Sequence, residues 1–150
     1  MAFYQFERSQ KINASKEDIW NFFSIAFKFS EKHPNESVLR LAINKFNFVR
    51  IEKHNWRFFE SLIFRMGLTD TSVLQKIAKL LISYKSLVNK TNLKIFCFEV
   101  IRRHAENKHD YELTWALWLL SNFNIQPHKE IFEIVIESRC NCACIIALDL

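Results

Sequence analysis

Apolar positions recur along this chain at intervals of three and four, the spacing that lines up side chains on one face of an α-helix. After a short lead-in, residues 1–13, whose Phe3, Tyr4 and Phe6 are suited to dock on the body, Ser15 reads as a helix cap. Glu17 and Asp18 follow in the first turn, and Ile19, Phe22, Phe23 and Ala26 form the stripe. Pro34 should end this helix, because the residue before a proline is pushed out of helical conformation. Asn35 starts a second, striped by Val38, Leu39, Ala42, Ile43 and Phe46. A third begins near Asn55 and carries Trp56, Phe59, Leu62, Ile63 and Met66, with Gly67 expected as its left-handed terminator. Asp70 or Thr71 opens a fourth, with Val73, Leu74, Ile77, Leu81 and Tyr84 inward and Lys76 and Lys79 outward. A fifth spans about Thr91 to Ala105 over Leu93, Phe96, Cys97, Val100 and Ile101.

The sixth, Asp110 to Ile125, is apolar almost all round: Tyr111, Trp115 and Trp118 at helical spacing, with Leu113, Ala116, Leu117, Leu119 and Leu120 on the other faces. Such a helix is expected to be a buried central strut capped by its own Asp110, with both tryptophans in the core. Pro127 suits the first turn of a seventh helix (Ile131, Phe132, Val135, Ile136), and an eighth starts around Asn141. Alternate helices begin near Ser15, Asn55, Thr91 and Pro127, a period of roughly 36–40 residues that matches paired-helix solenoids of the HEAT or armadillo kind. The expectation is an all-α domain over residues 1–150, of about seven to eight antiparallel helices in HEAT-like hairpins; a compact bundle is the rival. The last helix ends on Leu148 and Leu150 with Asp149 at the negative end of its dipole, so the chain reads as part of a longer protein or complex.

Composition sharpens this picture in one respect. A single glycine and two prolines leave little material for β-hairpins and exclude a glycine-rich phosphate loop. The net charge of +5 is compatible with an anionic partner, but lysines and arginines are scattered rather than clustered. No apolar run is long enough to cross a bilayer and no secretion leader is apparent, so a cytoplasmic chain with reduced thiols and no membrane partner is expected.

Three constellations could carry chemistry. Cys140, Cys142 and Cys144 invite a metal, but in a helix only Cys140 and Cys144 share a face, and zinc needs about four converging ligands; no metal or other cofactor is expected there. Arg102, Arg103, His104, Lys108 and His109 form a basic and imidazole cluster that, with Lys76 and Lys79, is the candidate nucleic-acid or partner surface. The spacing of Arg103 and His109 resembles the R-x(4–6)-H signature of HEPN ribonucleases, where a histidine would move a proton and an arginine would steady the phosphate. The polar residue that commonly follows that arginine is missing, and helix C-termini attract cations for electrostatic reasons alone, so no catalytic residue is assigned. Asp110 and Glu112 could pair as carboxylates, but acids are favoured in a first helical turn by the dipole itself. Aromatic residues can stack nucleic-acid bases, and Trp20 and Trp56, near helix starts, are better placed for it than the strut's tryptophans, although a structural role is favoured for both.

Four segments taken together, KFSEKHPNESVLRLAI (Lys28–Ile43), NWRFFESLIF (Asn55–Phe64), HDYELTWALWLLSNFNI (His109–Ile125) and CNCACIIALDL (Cys140–Leu150), resemble the C-terminal helical region of bacterial reverse-transcriptase-related antiphage proteins of the abortive-infection and unknown-group class. The resemblance implies a HEAT-like domain that follows a polymerase domain, shapes a channel for nucleic acid or a priming protein, and supports homo-oligomers. The family's paired polymerase aspartates are absent, so none of its catalytic residues transfers and the chain alone is not expected to be an enzyme. Two other readings remain: a small HEPN-like ribonuclease and a generic protein-interaction scaffold.

Overall fold

In the computed structural model the described residues are 53–150, and their regular structure is entirely helical, with no strand among them. The helices expected from Ser15 and Asn35, and the lead-in before them, lie outside the described residues. By its internal contacts the chain divides into two compact units, Met1–Thr69 and Asp70–Leu150.

The described part of the first unit is helix α1, Lys53–Thr69. Trp56, Phe59, Leu62, Ile63 and Met66 are buried along it, as their spacing predicts. Glu60 is buried with them, and the Trp56 indole donates to its Oε2 at 2.7 Å, which gives this tryptophan a structural role rather than a base-stacking one. Gly67 does not terminate the helix: it is buried within it and has no positive φ, and α1 runs on to Thr69, whose hydroxyl donates to the Arg65 carbonyl.

The second unit opens with Asp70, whose carboxylate accepts from the backbone and hydroxyl of Ser72 and so caps a 3₁₀ turn, Thr71–Val73. Helix α2, Leu74–Ser83, follows and buries Leu74, Ile77, Ala78 and Leu81 while Lys76 and Lys79 face solvent. Asn89 caps α3, Lys90–Ala105, through the Asn92 N–H. Then come α4, Asp110–Asn122, α5, Lys129–Ser138, and α6, Asn141–Leu148. Pro127 stands before the start of α5 rather than in its first turn; His128 holds the N-cap position.

Contacts run α2 to α4 to α6 along one row and α3 to α5 along another, and the pairs α3–α4 and α5–α6 join the rows. Helix α4 therefore touches three neighbours, as a strut should, and Leu113, Ala116, Leu117, Leu119 and Leu120 are all buried. Its aromatic edge is different. Tyr111 is exposed and Trp115 and Trp118 are only half-buried, so the two tryptophans are not core residues. The three rings stack edge to face, with centroids 6.4 Å and 5.4 Å apart, which recovers part of the stabilisation that full burial would give.

Asp110 also differs from expectation. It occupies the first position of α4 and leaves the cap to His109, and its Oδ1 accepts instead from the Ala143 N–H in the first turn of α6. The strut's opening acid thus caps a helix 33 residues away. None of the described helices is long and apolar enough to cross a membrane.

Candidate functional site

The tight connection between α3 and α4 concentrates the chemistry of this unit. Lys108 adopts φ 55°, and its N–H donates to the Ala105 carbonyl while the next N–H, of His109, reaches back to the carbonyl of His104. These two bonds define a Schellman termination, in which the residue after the left-handed one packs against the residue five positions earlier. Here those positions are His109 and His104. Their Nδ1 atoms come within 3.0 Å and the ring centroids within 5.2 Å.

His109 is at the same time the N-cap of α4, so Glu112 stands at the third helical position. That is where a glutamate ordinarily turns back towards the N-cap residue. The His109 N–H is already spent on His104, and the Glu112 carboxylate lies beside the two imidazoles, with one donor atom from each of the three side chains within 4.8 Å of the others. Thr71 donates to its Oε1 at 3.0 Å. Tyr111 Oη donates to the Ser72 carbonyl at 3.4 Å, a second tie between α4 and the 3₁₀ turn.

Partial burial holds the His104 pKa below its usual 6.5. The neighbouring Glu112 opposes this, and His109 and Arg103 reinforce it. A neutral imidazole keeps a lone pair free at neutral pH, and two imidazoles with a carboxylate form a donor set suited to zinc and related ions.

Of the basic and imidazole cluster singled out from sequence, the structure brings His104 and His109 together and sends the others elsewhere. Arg103 Nε donates to Glu99 at 2.8 Å, one turn back on its own helix. Arg102 and Lys108 border an open groove of about 430 Å³ between the end of α3 and α5, floored by Ala105 and Ile134. Glu106, Glu130 and Glu137 line the same groove, so its charge is mixed rather than basic. Lys76 and Lys79 stand on α2. Asp110 and Glu112 do not act as a pair, one binding Ala143 and the other Thr71.

The cysteines also part company. Cys140 is buried, Cys144 is half-buried with its Sγ towards the Val135 carbonyl, and Cys142 is exposed. The Asp110 carboxylate, by its charge and by a hydrogen bond, raises the Cys142 thiol pKa. Cys97 is fully enclosed in α3, where burial pushes its thiol far up and leaves it inert.

What reading by residue type misses is Glu112 as the companion of the two histidines. The signal was present as H-x4-H-x2-E across a helix end, but it depends on a lysine taking the left-handed position. Comparison of this chain with protein-family models, with curated proteins and with solved structures yields no match.

Proposed function

We propose that this chain is a non-catalytic helical-repeat module of the HEAT-like kind, whose use is to hold another macromolecule. One observation carries the reading: helices two apart in sequence touch along both rows, α2–α4–α6 and α3–α5, while sequential pairs form the cross-links. A stack of hairpins has that contact pattern, and within the second compact unit the hairpins begin at Lys90 and Lys129, a spacing close to the period seen in the sequence. The partner named by the sequence resemblance is a reverse-transcriptase-related polymerase domain, with nucleic acid or further copies of the chain as additional occupants.

The mixed charge of the groove beside Arg102 and Lys108 favours a protein partner there over a bare phosphate backbone. The half-exposed Tyr111, Trp115 and Trp118 edge supplies amphipathic rings of the type enriched at interfaces. The rival ribonuclease reading needs Arg103 and His109 to face one phosphate. The pairing of Arg103 with Glu99, and of His109 with His104, weighs against it.

The test is co-expression with a polymerase domain encoded beside this chain, followed by co-purification and by titration with single-stranded DNA and RNA at several salt concentrations. A complex weakened by Trp115→Ala or by Arg102→Glu with Lys108→Glu is expected. Absence of any complex, together with RNA cleavage lost in an Arg103→Ala, His109→Ala variant, would replace this reading with the ribonuclease.

A further inference from the structure

We propose that His104, His109 and Glu112 form a binding site for a divalent transition metal ion of the zinc class, which clamps the end of α3 to the start of α4. Three observations converge on it.

The first is geometric. Two metal–nitrogen bonds of about 2.0–2.1 Å at a tetrahedral angle separate their nitrogens by roughly 3.3 Å. The two Nδ1 atoms already stand 3.0 Å apart, so a few tenths of an ångström of side-chain rotation opens the space for an ion. All three donor atoms lie within 4.8 Å of one another, and the Schellman turn and the N-cap position of His109 bring the three residues to one place.

The second is a comparison inside the molecule. Helix α4 ends in the same motif as α3: Asn124 takes φ 53°, its N–H donates to Ser121, and the Ile125 N–H donates to the Leu120 carbonyl. There the two side-chain positions hold Leu120 and Ile125, both buried, the apolar pair such a motif ordinarily carries. At the end of α3 the equivalent positions hold two imidazoles on a partly exposed surface with a carboxylate beside them. Packing accounts for the leucine and isoleucine; ligation accounts for the histidines.

The third is support from behind. Metal-binding carboxylates are oriented by hydrogen bonds from outside the site, and Thr71 provides one to the Glu112 carboxylate through Oε1. Three protein donors leave a fourth tetrahedral position for water or a ligand oxygen.

The cysteines offer a competing home for zinc, so the experiment separates the two. Tag-free full-length chain is dialysed against Zn²⁺ and, in parallel, Co²⁺. One ion per chain is expected, with a cobalt spectrum of nitrogen and oxygen donors that lacks thiolate-to-metal absorption, and a melting temperature raised by Zn²⁺. His109→Gln and Glu112→Gln should each lower affinity tenfold or more while leaving the circular dichroism of the metal-free chain unchanged. Thr71→Ala should weaken binding by about tenfold, since Thr71 only positions Glu112. The Cys140→Ser, Cys142→Ser, Cys144→Ser variant should bind as the parent does. No uptake by the parent chain, or uptake that survives His104→Gln with His109→Gln and disappears in the cysteine variant, overturns the proposal.

Discussion

Lys108 holds φ 55°, where an L-residue pays about 1 kcal/mol that glycine does not. Lys108→Gly should therefore stabilise the chain by up to about 1 kcal/mol, offset in part by the greater freedom of glycine in the unfolded chain, and urea denaturation will register it. The turn keeps its shape, so the His104–His109 pairing should persist. Asp110 is the opposite case, a side chain whose removal is costly. Asp110→Ala strips the acceptor from the Ala143 N–H and from the Thr114 hydroxyl. A loss of about 1 kcal/mol is expected, with faster amide exchange at Ala143 as the local signature. His104 makes stability depend on pH. Its folded pKa lies below the usual 6.5, so the unfolded chain binds more protons than the folded one between the two values. Stability is fully present above about pH 6.5 and is lost as the pH falls through the folded value. Urea midpoints measured with a chelator from pH 7.5 to pH 5 should show this decline, and His104→Gln should flatten it.

Helix α4 distinguishes two kinds of large apolar residue. Leu117 is fully buried on the strut that touches α2, α3 and α6, so Leu117→Ala should cost about 2–5 kcal/mol. A tryptophan in a core would cost at least as much. Trp115 is half-exposed on the Tyr111–Trp115–Trp118 edge, so Trp115→Ala should cost less than Leu117→Ala despite the larger volume removed. Chemical denaturation of the two variants side by side checks the order. The reverse order would place Trp115 back in the core.

In the stack of hairpins proposed for the second unit, stability is a sum of neighbour contacts, and damage spreads no further than those contacts carry it. Ala143 is completely buried in α6, which touches α4 and α5. Overpacking it with Ala143→Leu should lower amide-exchange protection in α5 and α6 well before α2 responds, as hydrogen exchange read by mass spectrometry will show. Uniform loss across the second unit would instead indicate a single cooperative bundle.

Most helix positions among the described residues were legible in the sequence, because the 3.6-residue period of a helix is a local property that a buried stripe follows: Leu93, Phe96, Cys97, Val100 and Ile101 are all inward in α3, whereas Tyr84 and Ile136, also expected inward, are half-buried and exposed. The scarcity of glycine likewise pointed away from β-hairpins, and the described residues contain no strand. It also concealed the turns, since Lys108, Asn124 and Arg139 take the left-handed positions that a glycine would have announced, while Gly67 sits inside a helix. Tertiary structure decided the rest. Whether Trp115 is covered depends on how neighbouring helices cross, not on its own helical period. Asp110 finds its partner 33 residues away and Glu112 finds Thr71 at a distance of 41, and no local pattern encodes either meeting. The histidine pair lies between these cases: its residues are close in sequence, but only the backbone conformation at Lys108 turns their rings towards each other.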